Sequence, residues 1–189
     1  MNLVLCSSKF TREVIAGTVF TNNETNQKLK VTTKCDVLFE GADLETYFPT
    51  NECSKVLASE MEKVKEDWNF LFVGHWLQGN LGQDRKDVGM LVKSFLESFK
   101  GSDGVGLIMK TSGATPSIMD VDDLHRKVFE IKNNCSNTDL PNIYILHADL
   151  FDSEMNDLYN HPKVKAHVNI THGEGFGRPL LEASMSGKP

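Results

Sequence analysis

Short apolar runs alternate with amphipathic segments along most of this chain, and this alternation restricts the fold more than any other feature. Residues 69–74 (NFLFVG) and 104–111 (GVGLIMKT) are mostly apolar, as is typical of strands buried on both faces of a sheet. The segment between them predicts a helix that begins at Asp84 and stops at Gly101. Its apolar residues recur at helical spacing, at Val88, Leu91, Val92, Phe95 and Phe99. Buried strands joined by helices predict an α/β fold with a parallel sheet.

The same alternation continues on both sides of this region. Further strands are predicted at residues 2–8, 35–43, 142–149 and 165–171. Further helices are predicted at residues 8–18, 52–66, 120–134, 153–161 and 178–185. The predicted fold class is therefore a Rossmann-like α/β domain with helices on both faces of a parallel sheet. Ligands of such sheets bind at the carboxyl ends of the strands.

The closing stretch THGEGFGRPLLEASMSGKP combines glycines with two acids, Glu174 and Glu182, which are separated by seven residues. It follows a predicted strand, and Pro179 suits the first turn of the helix that begins there. Glycines let a backbone approach a ligand closely, and free peptide N–H groups at a helix start favour an anion such as a diphosphate. Carboxylates accept hydrogen bonds from the hydroxyls of a sugar or ribose. The alternative is a glycine-rich helix start in which an acid is favoured only by the helix dipole.

Charge and composition exclude several classes of function. The formal net charge is −6, and no basic segment is concentrated enough to neutralise nucleic-acid phosphates. No apolar run approaches the ~18–20 residues needed to span a bilayer. The four cysteines form no C-x-x-C pair, which predicts reduced thiols and a cytoplasmic protein. No metal site is predicted, because the histidines do not cluster and the acids of residues 120–122 (DVD) suit a helix start.

Several segments together resemble one enzyme family. EGFGRPLLEASMSGKP resembles the E-x7-E signature of the retaining group-1 glycosyltransferases, a family with the GT-B fold. Residues 70–99 are similar to the opening of that family's donor-binding domain, and residues 144–160 to its strand, loop and helix beside the nucleotide base. Residues 6–15 and 37–49 resemble the end of the acceptor domain and the turn into the linker. The resemblance covers nearly the whole chain in the expected order.

The resemblance implies roles for individual residues. Glu174 would bind hydroxyls of the donor sugar, and Glu182 would bind the ribose hydroxyls. Lys86, with Arg85 beside it, would neutralise the leaving diphosphate. The backbone between the two acids would meet the same diphosphate, at Gly175, Phe176 and Gly177.

One position departs from the family pattern, and other residues are candidates by their place in the chain. His75 stands where the family has an arginine after the first strand, so Arg85 or a protonated His75 would supply that phosphate contact. Lys110 and Thr111 end a predicted strand at the same edge and could contact phosphate or ribose. Backbone groups of residues 148–150 would lie beside the base, chiefly those of Ala148 and Leu150. His172 could line the sugar pocket, and Trp76 could cover the donor or anchor its loop.

The implied reaction is transfer of a glycosyl unit from a nucleotide sugar to an acceptor hydroxyl, with retention at the anomeric carbon. Fixed cations and N–H groups would stabilise charge on the departing diphosphate. The family requires no obligate metal or cofactor, and its donor would be a UDP-, GDP- or ADP-sugar. The acceptor, whether a sugar, a lipid or a protein, is not predicted, and the full enzyme could associate peripherally with a membrane.

The resemblance also implies a division of the chain. Residues 1–50 would be a remnant of the acceptor domain and linker, and residues 51–189 a truncated donor-binding domain whose fold is incomplete at its C-terminus. Such a fragment would not transfer sugar alone. Two other interpretations stay open: a non-catalytic module that binds a nucleotide or nucleotide sugar, and an NAD-type oxidoreductase. The latter is disfavoured because no G-x-G-x-x-G follows the first strand.

Overall fold

The computed structural model describes residues 2–77, 81–113, 117–135 and 139–189. The chain forms two compact units, Met1–Ala42 and Asp43–Pro189. These units divide eight residues before the functional boundary predicted between residues 50 and 51. The division into compact units does not test that boundary, which stays a prediction.

The first unit contains two small sheets and one helix. Strands β1 (Val4–Cys6) and β4 (Cys35–Val37) pair in parallel. Helix α1 (Lys9–Gly17) begins after Ser8, whose side chain accepts a hydrogen bond from the N–H of Thr11. Strands β2 (Val19–Thr21) and β3 (Lys28–Lys30) form an antiparallel hairpin that the sequence analysis did not predict.

The second unit is built on a four-stranded parallel sheet. Its strands are β5 (Trp68–His75), β6 (Val105–Ser112), β7 (Asn142–Leu146) and β8 (Val164–His167). Their spatial order is β7-β6-β5-β8, with every neighbouring pair parallel. The chain therefore moves outward from β5 through β6 to β7 and then returns to the other side of β5. This reversal makes a topological switch point between β5 and β8, where open parallel sheets bind ligands.

Helices cover both faces of this sheet. Helices α3 (Val88–Ser98) and α4 (Ile118–Asn134) pack on one face, against a core that includes Phe72, Leu107 and Met109. The other face is covered by α2 (Lys55–Glu62), α5 (Asp152–Asn160) and α6 (Arg178–Ser184), around a core that includes Leu71 and Ile108. Successive residues of β5 and β6 thus point to opposite cores, as alternation along a strand requires.

This architecture confirms the predicted fold class, with some corrections to the elements. The predicted strands and helices of the second unit all appear, but α3 begins at Val88 and not at Asp84. The residue before α3, Asp87, has a positive φ of 50°, and residues 81–86 form turns instead of a helix. None of the helices in the described ranges is both long and apolar enough to cross a membrane.

Candidate functional site

The loop after β5 and the loop after β8 meet at the switch point, and three charged side chains lie in their contact. The carboxylate of Glu174 forms an ion pair with the ammonium of Lys86. Its other oxygen lies 3.2 Å from the guanidinium of Arg85. The structure therefore places these three predicted site residues together.

Backbone contacts hold these two loops against each other. The carbonyl of Arg85 accepts hydrogen bonds from the N–H of His172 and the hydroxyl of Thr171, each at 2.9 Å. The guanidinium of Arg85 donates to the carbonyl of Gly173 at 2.7 Å. The positions of Lys86 and Glu174 are thus fixed by main-chain bonds as well as by their own charges.

The ion pair is largely buried, and its charges shift the pKa of neighbouring groups. The side chain of Lys86 is only 10% exposed and that of Glu174 18% exposed. Burial opposes ionisation of Glu174, but hydrogen bonds and charge from Lys86, followed by those from Arg85, lower its pKa below the ordinary value. Burial, aided by the charge of Lys86, lowers the pKa of nearby His167 to about 4, so this imidazole is neutral at pH 7.

Glu182 lies on α6 with a different set of partners. Helix α6 follows Gly177, whose φ of 84° is a left-handed conformation that suits glycine. The Glu182 carboxylate pairs with Arg178 one turn earlier and accepts a hydrogen bond from the Tyr159 hydroxyl at 3.2 Å. Arg178 also lies 3.3 Å from Asp152. A Cβ placed on Gly177 would contact the side chain of Glu174 at 3.7 Å, so the start of α6 lies next to Glu174.

Residues at the carboxyl ends of β6 and β7 form a further part of this edge. Lys110 is half-buried, and burial lowers its pKa, opposed by the charge of Asp149. Thr111 is buried, and its hydroxyl has no partner among the described residues. Ala148 and Leu150 follow β7 and are half-buried.

Three other predicted residues have specific places near the two loops. The imidazole of His75 lies 2.9 Å from the hydroxyl of Ser112 at the ends of β5 and β6. His172 lies 3.2 Å from the carboxylate of Asp87, just before α3. Trp76 is fully buried beneath Lys127, which lies 5.4 Å from its ring centroid. This burial favours Trp76 as an anchor for its loop, and its relation to a donor stays a prediction.

Sequence reasoning missed the partners of the predicted acids. Arg178 stands four residues before Glu182, which is the spacing of a helical ion pair and could have been identified. The contacts of Tyr159 with Glu182 and of His147 with Asp120 join residues 23 and 27 positions apart, and no local sequence pattern predicts such contacts. Within the described ranges, no group of three or more His, Cys, Asp or Glu side chains is arranged to hold a metal ion.

No protein-family model and no curated protein matches this sequence. Solved structures do match. The C-terminal domain of the group-1 glycosyltransferase LpcC from Francisella tularensis has a TM-score of 0.55 and 16% identity, over 78% of this chain and 68% of that chain. An α,α-trehalose-phosphate synthase (UDP-forming) from Burkholderia vietnamiensis has a TM-score of 0.62 and 11% identity, over 98% and 42%. HepE of Anabaena, in complex with UDP-glucose, has a TM-score of 0.57 and 15% identity, over 100% and 43%.

At these identities the likeness concerns the fold. The fold is that of the C-terminal domain of group-1 glycosyltransferases, as the sequence predicted. The chain spans less than half the length of the synthase and of HepE.

Proposed function

We propose that this chain contains the donor-binding domain of a retaining glycosyltransferase that uses a nucleotide sugar. The observation that carries this proposal is the meeting of Lys86, Arg85 and Glu174 at the switch point between β5 and β8. Cations and an acid at that position suit a ligand that is anionic in one part and rich in hydroxyls in another. Residues 51–189 are assigned to the donor, and residues 1–50 to the acceptor domain and linker.

Lys86 and Arg85 would bind the diphosphate. Lys86 is a compact charge, whereas Arg85 has a planar fork of donors that suits phosphate oxygens. The adjacent backbone of residues 175–177 would complete this contact, and His75 lies on the neighbouring strand end. In transfer, negative charge develops on the diphosphate as the glycosidic bond breaks, and fixed cations stabilise that charge.

The two glutamates would bind hydroxyl groups. Glu174 would bind the donor sugar because it lies beside the cations that hold the diphosphate, with His172 near it. Glu182 would bind the ribose. A carboxylate has about four lone-pair sites, and Arg178 and Tyr159 occupy only some of those on Glu182.

The base would lie against residues 148–150. The backbone groups of these residues form no hydrogen bond with any other described residue, so their N–H and C=O groups can bind the polar edge of a base. Lys110 and Thr111, at the adjacent strand end, would contact ribose or phosphate. A UDP-sugar is the first donor to test, because HepE was solved with UDP-glucose and the synthase is UDP-forming.

The glycosyl unit would pass to an acceptor hydroxyl with retention of configuration. Residues 1–189 alone are expected to bind the donor but not to transfer its sugar, since the synthase and HepE are more than twice as long. Binding and transfer are therefore tested separately.

A thermal-shift screen with UDP, GDP and ADP, each with and without its common sugars, tests the binding. A nucleotide at a hundred times its dissociation constant stabilises the folded chain by about 2.7 kcal/mol. Lys86→Met should reduce this stabilisation, and the reduction should shrink at high salt because charge is screened over about 10 Å at 0.1 M. Glu182→Ala should reduce it at any salt concentration.

Lys163→Met is the matched control. Lys163 is a half-buried lysine, but its ammonium contacts the carbonyls of Met61 and Val64 at the opposite, amino end of the sheet. This variant should respond to nucleotide as the wild type does. If no nucleotide stabilises the wild type at millimolar concentration, the proposed function is wrong.

A further inference from the structure

One carboxylate oxygen of Asp120 joins three elements at the carboxyl edge of the sheet. It lies 2.9 Å from Nε2 of His147, the first residue after β7. The N–H of Gly113, the first residue after β6, donates to the same oxygen at 2.7 Å. Asp120 itself belongs to the first turn of α4. The ends of two neighbouring strands are thus tied to the start of one helix.

This contact is enclosed and closely fitted. The side chains of His147 and Asp120 are 9% and 12% exposed. A Cβ on Gly113 would lie 1.9 Å from the second oxygen of Asp120, so only glycine allows the carboxylate to approach this closely. Burial opposes ionisation of Asp120, but the bonds from Gly113 and His147 lower its pKa, and the carboxylate is charged at neutral pH. Charged and enclosed hydrogen bonds of this kind hold a definite geometry.

The segment that follows His147 is held at its two ends and by the side chain of Leu150, which packs against the core that includes Leu71 and Ile108. Residues 148–150 make no backbone hydrogen bond with another described residue. At the far end, the N–H of Phe151 donates to the Glu154 carboxylate at 2.9 Å, where α5 begins. At the near end, the side-chain contact between His147 and Asp120 fixes the segment as it leaves the sheet.

We propose that Asp120 and His147 are a positioning pair that sets the affinity of the site for the base of a nucleoside diphosphate. The pair holds the backbone of residues 148–150 at the angle and distance at which their N–H and C=O groups bind the base. Neither side chain contacts the ligand. This inference rests on the proposed function, since it assumes that the edge of the sheet binds a nucleotide.

The test compares a ligand that has a base with one that has none. Calorimetry would measure the dissociation constants of UDP and of inorganic pyrophosphate for the wild type, Asp120→Ala and His147→Ala. GDP or ADP replaces UDP if it stabilises the wild type more. Each variant should bind the nucleotide about tenfold more weakly, the effect of losing one well-made polar contact. Pyrophosphate should bind all three proteins equally, because its contacts are with Lys86 and Arg85.

Two further variants separate positioning from general stability. The amide oxygen of Asp120→Asn can still accept from the N–H of Gly113 and from an Nε2–H of His147, so its nucleotide affinity should recover most of the loss seen with alanine. Asp122→Ala removes an exposed acid from the same helix turn and should bind as the wild type does. His147→Asn, whose side chain is too short to reach Asp120, replaces His147→Ala if the alanine variant does not fold.

Three results would overturn the inference. Unchanged nucleotide affinity in the Asp120 and His147 variants would show that the pair does not position the base. An equal loss for nucleotide and pyrophosphate would show that the pair only supports the fold. A wild type that binds pyrophosphate with the same affinity as every nucleotide would show that the base is not recognised. Failure of the wild type to bind any of these ligands would instead contradict the proposed function itself.

Discussion

Glu174 is paired with Lys86 and Arg85, the two cations proposed to bind the diphosphate, and would compete with that diphosphate for them. Removing its charge while keeping its shape should therefore strengthen binding of a nucleoside diphosphate that carries no sugar. The same change removes an acceptor for the sugar hydroxyls. We expect Glu174→Gln to bind UDP about three- to tenfold more tightly, since roughly 1 kcal/mol of opposing charge is relieved. It should bind UDP-glucose no more tightly than UDP.

Calorimetry with UDP and UDP-glucose measures both parts of this prediction. Glu60→Gln is the control, because Glu60 is also paired with a lysine, Lys63 at 2.7 Å, but lies on α2. This control should leave both affinities unchanged. Weaker binding of UDP by Glu174→Gln would show that the carboxylate orders the cations more than it competes for them.

His167 should make the stability of the fold depend on pH. Its pKa is about 4 in the folded chain and near the ordinary 6.5 when unfolded, because burial penalises the charged imidazole and Lys86 repels it. Between these values the unfolded chain binds more protons, so stability is fully present above pH 6.5 and is lost as pH falls towards 4. One pKa unit corresponds to about 1.4 kcal/mol, so the full loss is on the order of 3 kcal/mol.

Denaturant unfolding of the wild type and of His167→Phe, at several pH values from 7.5 to 4, measures this contribution. The phenylalanine keeps an aromatic ring beside Tyr159, whose ring centroid lies 6.1 Å from that of His167. The variant should lose less stability than the wild type as the pH falls. Equal losses of stability in the two proteins would show that protonation of the His167 imidazole does not destabilise the folded chain.

At the scale of elements, α6 depends on one glycine for its start. Gly177 has a φ of 84°, a conformation that costs an alanine about 1–2 kcal/mol. Gly177→Ala should lower the free energy of unfolding by that amount and weaken nucleotide binding, because Glu182 is carried on α6. Gly175→Ala is the control, since a Cβ at Gly175 meets nothing within 4 Å and its φ is not positive. Chemical denaturation of both variants measures their free energies of unfolding. Equal values for Gly177→Ala and Gly175→Ala would contradict this prediction.

The elements that the sequence predicted are those with strong local signals. The apolar runs of β5 and β6 are buried on both faces, so their pattern is continuous and easy to recognise. The hairpin of β2 and β3 was missed because its residues are all exposed and carry no alternation of buried and exposed positions. The start of α3 was misplaced because Asp84 has the chemistry of a helix cap, whereas α3 begins after Asp87, whose carboxylate lies 3.2 Å from His172.

The contacts of the candidate site also differ in whether the sequence could predict them. Glu174, Lys86 and Arg85 could be predicted as neighbours because the carboxyl ends of parallel strands meet at one edge. The pairing of Asp120 with His147 could not, because it depends on the register of β6 and β7 and on the position of α4. The acids of residues 120–122 predicted only the start of a helix. The structure confirms this for Asp120, which lies in the first turn of α4.

At the scale of the whole molecule, strand order decides where ligand chemistry can be concentrated. The order β7-β6-β5-β8 produces one switch point, and the loops that leave it carry Lys86 and Glu174. The second compact unit, Asp43–Pro189, contains every residue assigned to the donor. The nucleotide should therefore bind to this unit and stabilise it against unfolding.

A crystal structure of the chain with a bound UDP-sugar would test the central claim most directly. The account predicts diphosphate oxygens at hydrogen-bond distance, about 2.7–3.2 Å, from Lys86 and Arg85. It predicts the ribose hydroxyls at Glu182 and the sugar at Glu174, with the base against residues 148–150. A nucleotide bound with its diphosphate away from Lys86, or away from the carboxyl edge of the sheet, would contradict the account.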